Sequence, residues 1–174
     1  MKTPFVTKAQ LEEIAAKYPT PFHLYDEKGM RANARGLNQA FAWNRSFREY
    51  FAVKATPTPA ILKVLKSEGC GVDCSSLTEL MLAEKCGFQG HEIMFTSNNT
   101  LAEEFQLAHR LGAIINLDDI THVDFLERSI GCIPETVFCR YNPGGVFTLG
   151  ESKEGFQVMD TPGEAKYGMT RAQL

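Results

Sequence analysis

The sequence has no apolar run long enough to span a bilayer, so no membrane-crossing helix is expected. It has no signal-peptide core either. Met1-Lys2-Thr3-Pro4-Phe5 leads straight into the charged stretch Lys8-Ala9-Gln10-Leu11-Glu12-Glu13, which points to the cytoplasm. An excess of one charge is also lacking. With 18 basic and 21 acidic side chains the net charge is -3, which offers no electrostatic footprint for nucleic acid or an anionic lipid surface. The 5 cysteines include no Cys-x-x-Cys pair, so neither a disulfide framework nor a zinc site is expected. Cys70 and Cys74 straddle a helix-to-strand boundary and read as small buried hydrophobes. The 4 histidines are scattered, with no second ligand type at metal spacing. No Gly-x-Gly-x-x-Gly follows the first strand and there is no Walker-type loop, which removes support for nucleotide binding at a glycine-rich turn. What remains is an ordinary globular composition, 44% hydrophobic and 22% charged over 174 residues, enough for one domain core.

Periodicity supplies the architecture. Residues 7–18 make a short amphipathic helix with Thr7 as N-cap and Leu11, Ile14, Ala15 and Tyr18 on one face. Phe22-His23-Leu24-Tyr25 reads as a short strand, and Asp26 caps a helix running to about Trp43. Strands over 48–54, 71–75, 92–96, 113–117 and 136–142 then alternate with helices over 59–67, 77–85, 101–111 and 121–129. Gly69, Gly87 and Gly112 close three of these helices. Ser76 with Glu79 has capping-box spacing, and Asp118 and Asp119 read as caps. Such alternation predicts βαβ units and a parallel sheet, either doubly wound or a (β/α) barrel. Residues 143–165, with Pro143-Gly144-Gly145 and Pro162-Gly163, lose the period and read as a long loop. Lys166 to Thr170 then opens another helix, with Thr170 as cap.

Both architectures collect chemistry at the C-terminal ends of the strands. The polar residues there are Lys54; then Asp73, Ser75 and Ser76; then Ser97, Asn98 and Asn99; then Asn116 and Asp118; then Arg140 and Asn142. Singly, each has an ordinary explanation as a helix cap, a turn former, a surface ion pair or a solvated strand-end lysine. As a set, a lysine, an acid, amides and an arginine converging from different strands describe a site. Lys54 closes the aromatic and β-branched run Tyr50-Phe51-Ala52-Val53, and Thr56-Pro57-Thr58-Pro59 then ends the strand and admits a helix. An amine at the mouth of a buried strand is desolvated, which disfavours its charge and frees it to attack carbonyl compounds.

Three segments carry a family resemblance: Thr20-Pro21-Phe22-His23-Leu24-Tyr25-Asp26, Tyr50-Phe51-Ala52-Val53-Lys54-Ala55, and Gly71-Val72-Asp73-Cys74-Ser75-Ser76-Leu77-Thr78-Glu79-Leu80. Together they resemble the opening of the fold-type III pyridoxal-phosphate decarboxylases, the diaminopimelate, ornithine and arginine decarboxylases related to alanine racemase. Phe95 to Asn99 resembles their third-strand segment. Cys139-Arg140-Tyr141-Asn142-Pro143-Gly144-Gly145 resembles an Arg-x-Asn-Pro-Gly pattern, and Ala165-Lys166-Tyr167-Gly168-Met169 resembles the Ser-Lys-Phe-Gly that precedes the sixth barrel strand.

The resemblance implies an α/β fold, a partial (β/α)8 barrel of the alanine racemase kind with about five parallel strands. It implies pyridoxal 5'-phosphate as cofactor, no metal, and Lys54 as the Schiff-base lysine. Ala52 would also belong to the cofactor site. Asp73 would arrange the local polar network, Glu79 would lie near the lysine and the cofactor, and Arg140 would sit close to the ring's polar edge. The substrate would be an amino acid losing its α-carboxylate. Asn98-Asn99 and Arg140-Tyr141-Asn142-Pro143-Gly144 lean towards diaminopimelate decarboxylase and lysine biosynthesis, with carboxynorspermidine and D-amino-acid decarboxylases as other candidates.

A complete barrel takes about 250 residues, so residues 1–174 are expected to be its N-terminal part. The histidine that stacks on the cofactor ring, the phosphate-holding glycine loop, the acid that pairs with the pyridine nitrogen and the C-terminal β-domain are all missing from the pattern. Open sheet edges at the lysine strand and the Arg140 strand would be covered by self-association into a homo-oligomer or by the missing C-terminal half. A monodisperse monomer in light scattering would count against this. Decarboxylation by the chain alone is expected to be weak or absent, and carbon dioxide release from a diamino acid would overturn that. The alternatives are a non-catalytic fragment that binds a partner or pyridoxal phosphate without turnover, and an aldolase-type barrel whose lysine traps a sugar carbonyl.

Overall fold

The computed structural model describes residues 3–142 and 167–174. The loop expected over 143–165, with Pro143-Gly144-Gly145, and the start of the expected last helix at Lys166 lie outside them. Helix α1 (Lys8–Lys17) begins at Thr7, whose Oγ1 accepts from the Gln10 N–H while Gln10 Oε1 accepts from the Thr7 N–H at 2.8 Å. Among the described residues its apolar face is left uncovered: no residue of α1 is buried, and Tyr18 is 62% exposed. Phe22 to Tyr25 form no strand, because no described segment offers them a ladder. Helix α2 (Glu27–Ala40) is capped by Asp26, whose Oδ1 accepts from the Gly29 N–H at 2.9 Å, and it ends before the expected Trp43.

Five parallel strands follow: β1 (Tyr50–Ala52), β2 (Gly71–Cys74), β3 (Ile93–Ser97), β4 (Ile114–Leu117) and β5 (Phe138–Cys139). Their spatial order is β1-β2-β3-β4-β5, the same as their order in the chain. A doubly wound sheet reverses direction at a switch point. This sheet does not, so it is an arc of a (β/α) barrel. Helices α3 (Pro59–Ser67), α4 (Leu77–Lys85), α5 (Ala102–Arg110) and α6 (Thr121–Ile130) connect the strands. Gly69 and Gly87, both at φ +86, take the left-handed turn that stops α3 and α4.

Alternation sorts the strands into two faces. Val72, Cys74, Ile93, Phe95, Ile115 and Leu117 point towards the helices and are almost wholly buried. Phe105 of α5 packs edge-on to Phe95 at 6.1 Å and tilted on Phe125 at 5.8 Å. Each such side chain, fully buried, contributes about 1.5–3 kcal/mol. Cys70 and Cys74 are free and buried, as their composition reading required.

The two sheet edges differ. Among the described residues, β1 pairs only with β2. Beyond β5, Tyr141 bridges Met169 in parallel, with the Asn142 N–H donating to Met169 O at 2.8 Å and the Met169 N–H donating to Arg140 O at 2.7 Å. The edge expected to be open at Arg140 is therefore partly covered. Thr170 closes a turn onto Gln173 instead of capping a helix. Among the described residues no helix is long and apolar enough to cross a membrane.

Candidate active site

The inner face of the arc is polar where the outer face is apolar. At the C-terminal ends of the strands it holds a cavity of about 440 Å³, within the usual range for small-molecule sites. Lys54, Asp73, Ser75, Asn98, Asn116, Asp118 and Arg140 line it, all foreseen from strand-end position. Tyr50, Met94, Thr96 and Tyr167 also line it and were not foreseen. Strand parity is the signal that finds two of them: Met94 and Thr96 alternate with Ile93, Phe95 and the buried Ser97. The same parity turns Ser97 away from the cavity. Ser76 is spent as the N-cap of α4, and neither Asn99 nor Asn142 lines the cavity.

Lys54 differs from expectation in its surroundings. The strand ends at Ala52, and Val53–Ala55 form a 3-10 turn closed by the Thr56 N–H on Val53 O at 3.1 Å. Val53 plugs into the core while Lys54 is exposed at the rim, so its amine is accessible rather than desolvated. Ala52 lies opposite Asp73 in the ladder but does not line the cavity. Gly71 makes room beside them. A Cβ there would stand 2.7 Å from both the Glu92 carbonyl oxygen and the Tyr50 ring. With that space free, the Tyr50 hydroxyl donates to His91 O at 2.6 Å. Burial pushes the Tyr50 phenol up, against the charge of Arg48.

Glu79 is also off the cavity wall. It was expected to complete a capping box with Ser76. Instead its Oε2 accepts from the Ser75 N–H at 2.8 Å, while Ser76 Oγ accepts from the Glu79 N–H. Glu104, 6% exposed, reaches across from α5 and accepts from the Leu77 N–H at 2.8 Å and the Leu101 N–H at 2.9 Å. One carboxylate thus joins the turns after β2 and β3.

Asp118 is no helix cap. It is 4% exposed and accepts from Arg140 Nη1 at 3.0 Å, while Asp119 caps the turn before α6 through the Thr121 N–H. The Arg140 guanidinium also stands over the Tyr167 ring, 4.5 Å from its centroid, so the cation is held from two sides. Asp73 is held differently. Burial pushes its carboxyl up; the Thr96 hydroxyl and the charges of Lys54 and Arg140 oppose this, and Glu79 adds to it. Its Oδ1 is buried with no hydrogen-bond partner. An accessible amine, an orphaned acceptor and a braced guanidinium around one cavity suit a polar carbonyl compound such as pyridoxal phosphate.

Comparison with known proteins gives the same direction. The family described as pyridoxal-dependent decarboxylase, pyridoxal binding domain, matches residues 28–172. Protein TabA of Pseudomonas amygdali pv. tabaci is 45% identical over 164 residues, covering 94% of this chain and 36% of that protein. Diaminopimelate decarboxylase of Methanothermobacter thermautotrophicus is 37% identical over 111 residues, covering 63% of this chain and 26% of the relative. A variant of Helicobacter pylori diaminopimelate decarboxylase, solved with L-lysine, superposes with a TM-score of 0.69 at 27% identity, covering 91% of this chain and 39% of that one. The chain thus spans 26–36% of the length of these two curated relatives. With the matched segment taking in Lys54, Asp73, Glu79 and Arg140, the chain belongs to the pyridoxal-binding domain family of pyridoxal-dependent decarboxylases.

Proposed function

We propose that this chain is the pyridoxal-binding barrel part of an amino-acid decarboxylase of the diaminopimelate decarboxylase kind, acting in lysine biosynthesis, with Lys54 the amine that holds pyridoxal 5'-phosphate covalently. The convergence of Lys54, Asp73 and Arg140 on one cavity, in a chain of the pyridoxal-binding family, carries this reading. When bound, the cofactor supplies an electron sink for loss of an α-carboxylate as carbon dioxide. Lys54 offers the nucleophile from an exposed turn. Arg140, braced by Asp118 and Tyr167, offers a fixed cation to a polar edge. Asp73 offers an acceptor, and Ala52 keeps the strand beside it small. Glu79 acts on the site through Ser75, whose N–H it holds.

Residues 1–174 are proposed to be the N-terminal part of this barrel. Substrate choice and turnover then belong to a fuller assembly, in which a second copy or further polypeptide covers the edge of β1. A cytoplasmic setting goes with this reading. Incubating the full chain with pyridoxal 5'-phosphate, reducing with borohydride and mapping the modified peptide tests it. Modification at Lys54, lost in Lys54→Arg, is expected. Reduction that marks other lysines and spares Lys54 sinks the proposal.

A further inference from the structure

Ser75 and Asn98 line the cavity with side chains that make no hydrogen bond among the described residues. They differ in this from Asn116, which donates to Thr96 Oγ1 at 3.2 Å, and from the Asp118–Arg140 pair. Ser75 follows β2 and Asn98 follows β3, and the ladder between these strands stops short of both, with Cys74 opposite Phe95. Each turn is nevertheless closed on itself. The Ser75 N–H is held by Glu79 Oε2 at 2.8 Å, and Thr100 Oγ1 donates to Ser97 O at 3.2 Å across Asn98. Glu104 then ties the two closed turns together. Its Oε1 accepts from the N–H of Leu77, two residues after Ser75, at 2.8 Å. Its Oε2 accepts from the N–H of Leu101, three residues after Asn98, at 2.9 Å.

We propose that Glu104 is a positioning residue, which locks the turn carrying Ser75 to the turn carrying Asn98 so that hydroxyl and amide engage one ligand together. Its two oxygens do different work. Oε2 reaches back from the third position of α5 to the N–H of the capping residue, the ordinary use of a glutamate there. Oε1 crosses to the start of α4, 27 residues away, where Ser76 already serves as cap. A carboxylate is a rigid planar fork, so two amides seated on it cannot move independently. It is buried at 6% exposure, where water does not compete freely for those amides. Turns fixed before a ligand arrives need no ordering when it binds. Ser75 and Asn98 each donate and accept without charge, and so complement Lys54, Asp73 and Arg140 on the same wall.

The inference rests on the reading of this cavity as the cofactor site, and the first arm of its test does not. Glu104→Gln, which keeps one of the two bonds, is compared with the parent by NMR in the full chain without cofactor. It is expected to shift the amide resonances of both Ser75 and Asn98 and to speed hydrogen exchange at whichever of Leu77 and Leu101 is left unpaired. Glu68→Ala, which loosens α2 from α3 away from the cavity, is the control for lost stability and should shift neither. In the second arm, pyridoxal phosphate is titrated and trapped at Lys54 with borohydride. Glu104→Gln should raise the concentration for half-trapping about three- to tenfold, the worth of one hydrogen bond to the ligand. The yield at saturation should stay the same, because Lys54 stands on the turn after β1, which Glu104 does not hold. Glu68→Ala should leave both unchanged. In a chain that carries Ser75→Ala and Asn98→Ala together, Glu104→Gln should raise the half-trapping concentration no further. Ser75 or Asn98 resonances unmoved by Glu104→Gln overturn the proposal. So does a rise of equal size in the double-alanine chain, which would assign the effect to lost stability. Absence of trapping at Lys54 in the parent, with both resonances shifted by Glu104→Gln, sinks the cofactor reading and supports the tie between the turns.

Discussion

Glu104 joins two site turns, and replacing it should destabilise the fold. Its two oxygens accept from Leu77 N–H at 2.8 Å and Leu101 N–H at 2.9 Å, the first amide of α4 and the capping residue of α5. Amides at helix starts have no partner within the helix. Both bonds therefore replace water rather than another protein group. Each hydrogen bond to a charged group is worth roughly 1.5–3 kcal/mol, and Glu104→Ala removes two of them, so a loss of about 3–5 kcal/mol is expected. The charge also sits in the first turn of α5, where the helix dipole favours it. Glu104→Gln keeps one acceptor and sets an amide donor against the other N–H, and should cost about half as much. Urea unfolding reads this as a lower midpoint at unchanged slope. Hydrogen exchange should show Leu77 and Leu101 amides losing protection before the strand amides do. A Glu104→Ala chain with the parent's midpoint would refute the reasoning, since it would mean that water reaches both amides and Glu104 replaces it at no gain.

Two further outcomes follow from other elements. Glu68, just past α3, accepts from Arg35 Nε at 2.6 Å and from Arg31 Nη1 at 2.8 Å, and these guanidiniums hold its carboxyl down at about 2. A folded value below the unfolded one stabilises fully above the unfolded range and is lost as pH falls through the folded value. The docking of α2 on α3 should therefore weaken from about pH 4.3 downward, read by hydrogen exchange in α2. Glu68→Gln should lack that acid-dependent step; a step of equal size in the variant would assign it to other carboxyls. In Gly71→Ala the new methyl meets Glu92 backbone oxygen and the Tyr50 ring at 2.7 Å. Overpacking of this kind costs about 1–3 kcal/mol. A thermal melt matching the parent's would show that the ring and ladder shift freely.

Helices were legible in the sequence where their signals are local. α3 and α4 match the expected bounds residue for residue, because proline or serine starts them and glycine stops them. Strand extents were not, because a strand ends where its partner ends. β1 is confined to Tyr50–Ala52 by its ladder with β2, and β5 is down to Phe138–Cys139. Phe22 to Tyr25 have strand-forming side chains but no partner strand among the described residues, so they form no strand. In the site, strand-end position recovered Lys54, Asp73 and Arg140. It failed for Ser97, which needed parity, and although it placed Asp118 at the site it did not show that Asp118 pairs with Arg140, 22 residues away, instead of capping a helix. Thr96 was overlooked because it sits one residue inside the strand, on the inner face, where a threonine reads as ordinary β-former.

The two faces of the sheet explain why this site can carry so many polar groups without unfolding the domain. Residues that close the core alternate with residues that line the cavity, so adjacent positions on one strand serve different ends: Val72 and Cys74 beside Asp73, Phe95 beside Thr96, Ile115 beside Asn116. A polar change on the inner face removes no core volume, and a core change on the outer face leaves the polar line in register. The exception is where the faces share backbone geometry. The turns after β2 and β3 are fixed by Glu79 and Glu104, so damage to these carboxylates moves site residues and helix starts together. Changes to the polar residues that line the cavity should accordingly cost little stability, whereas variants of Glu104 should disturb the site turns and the helix starts at once.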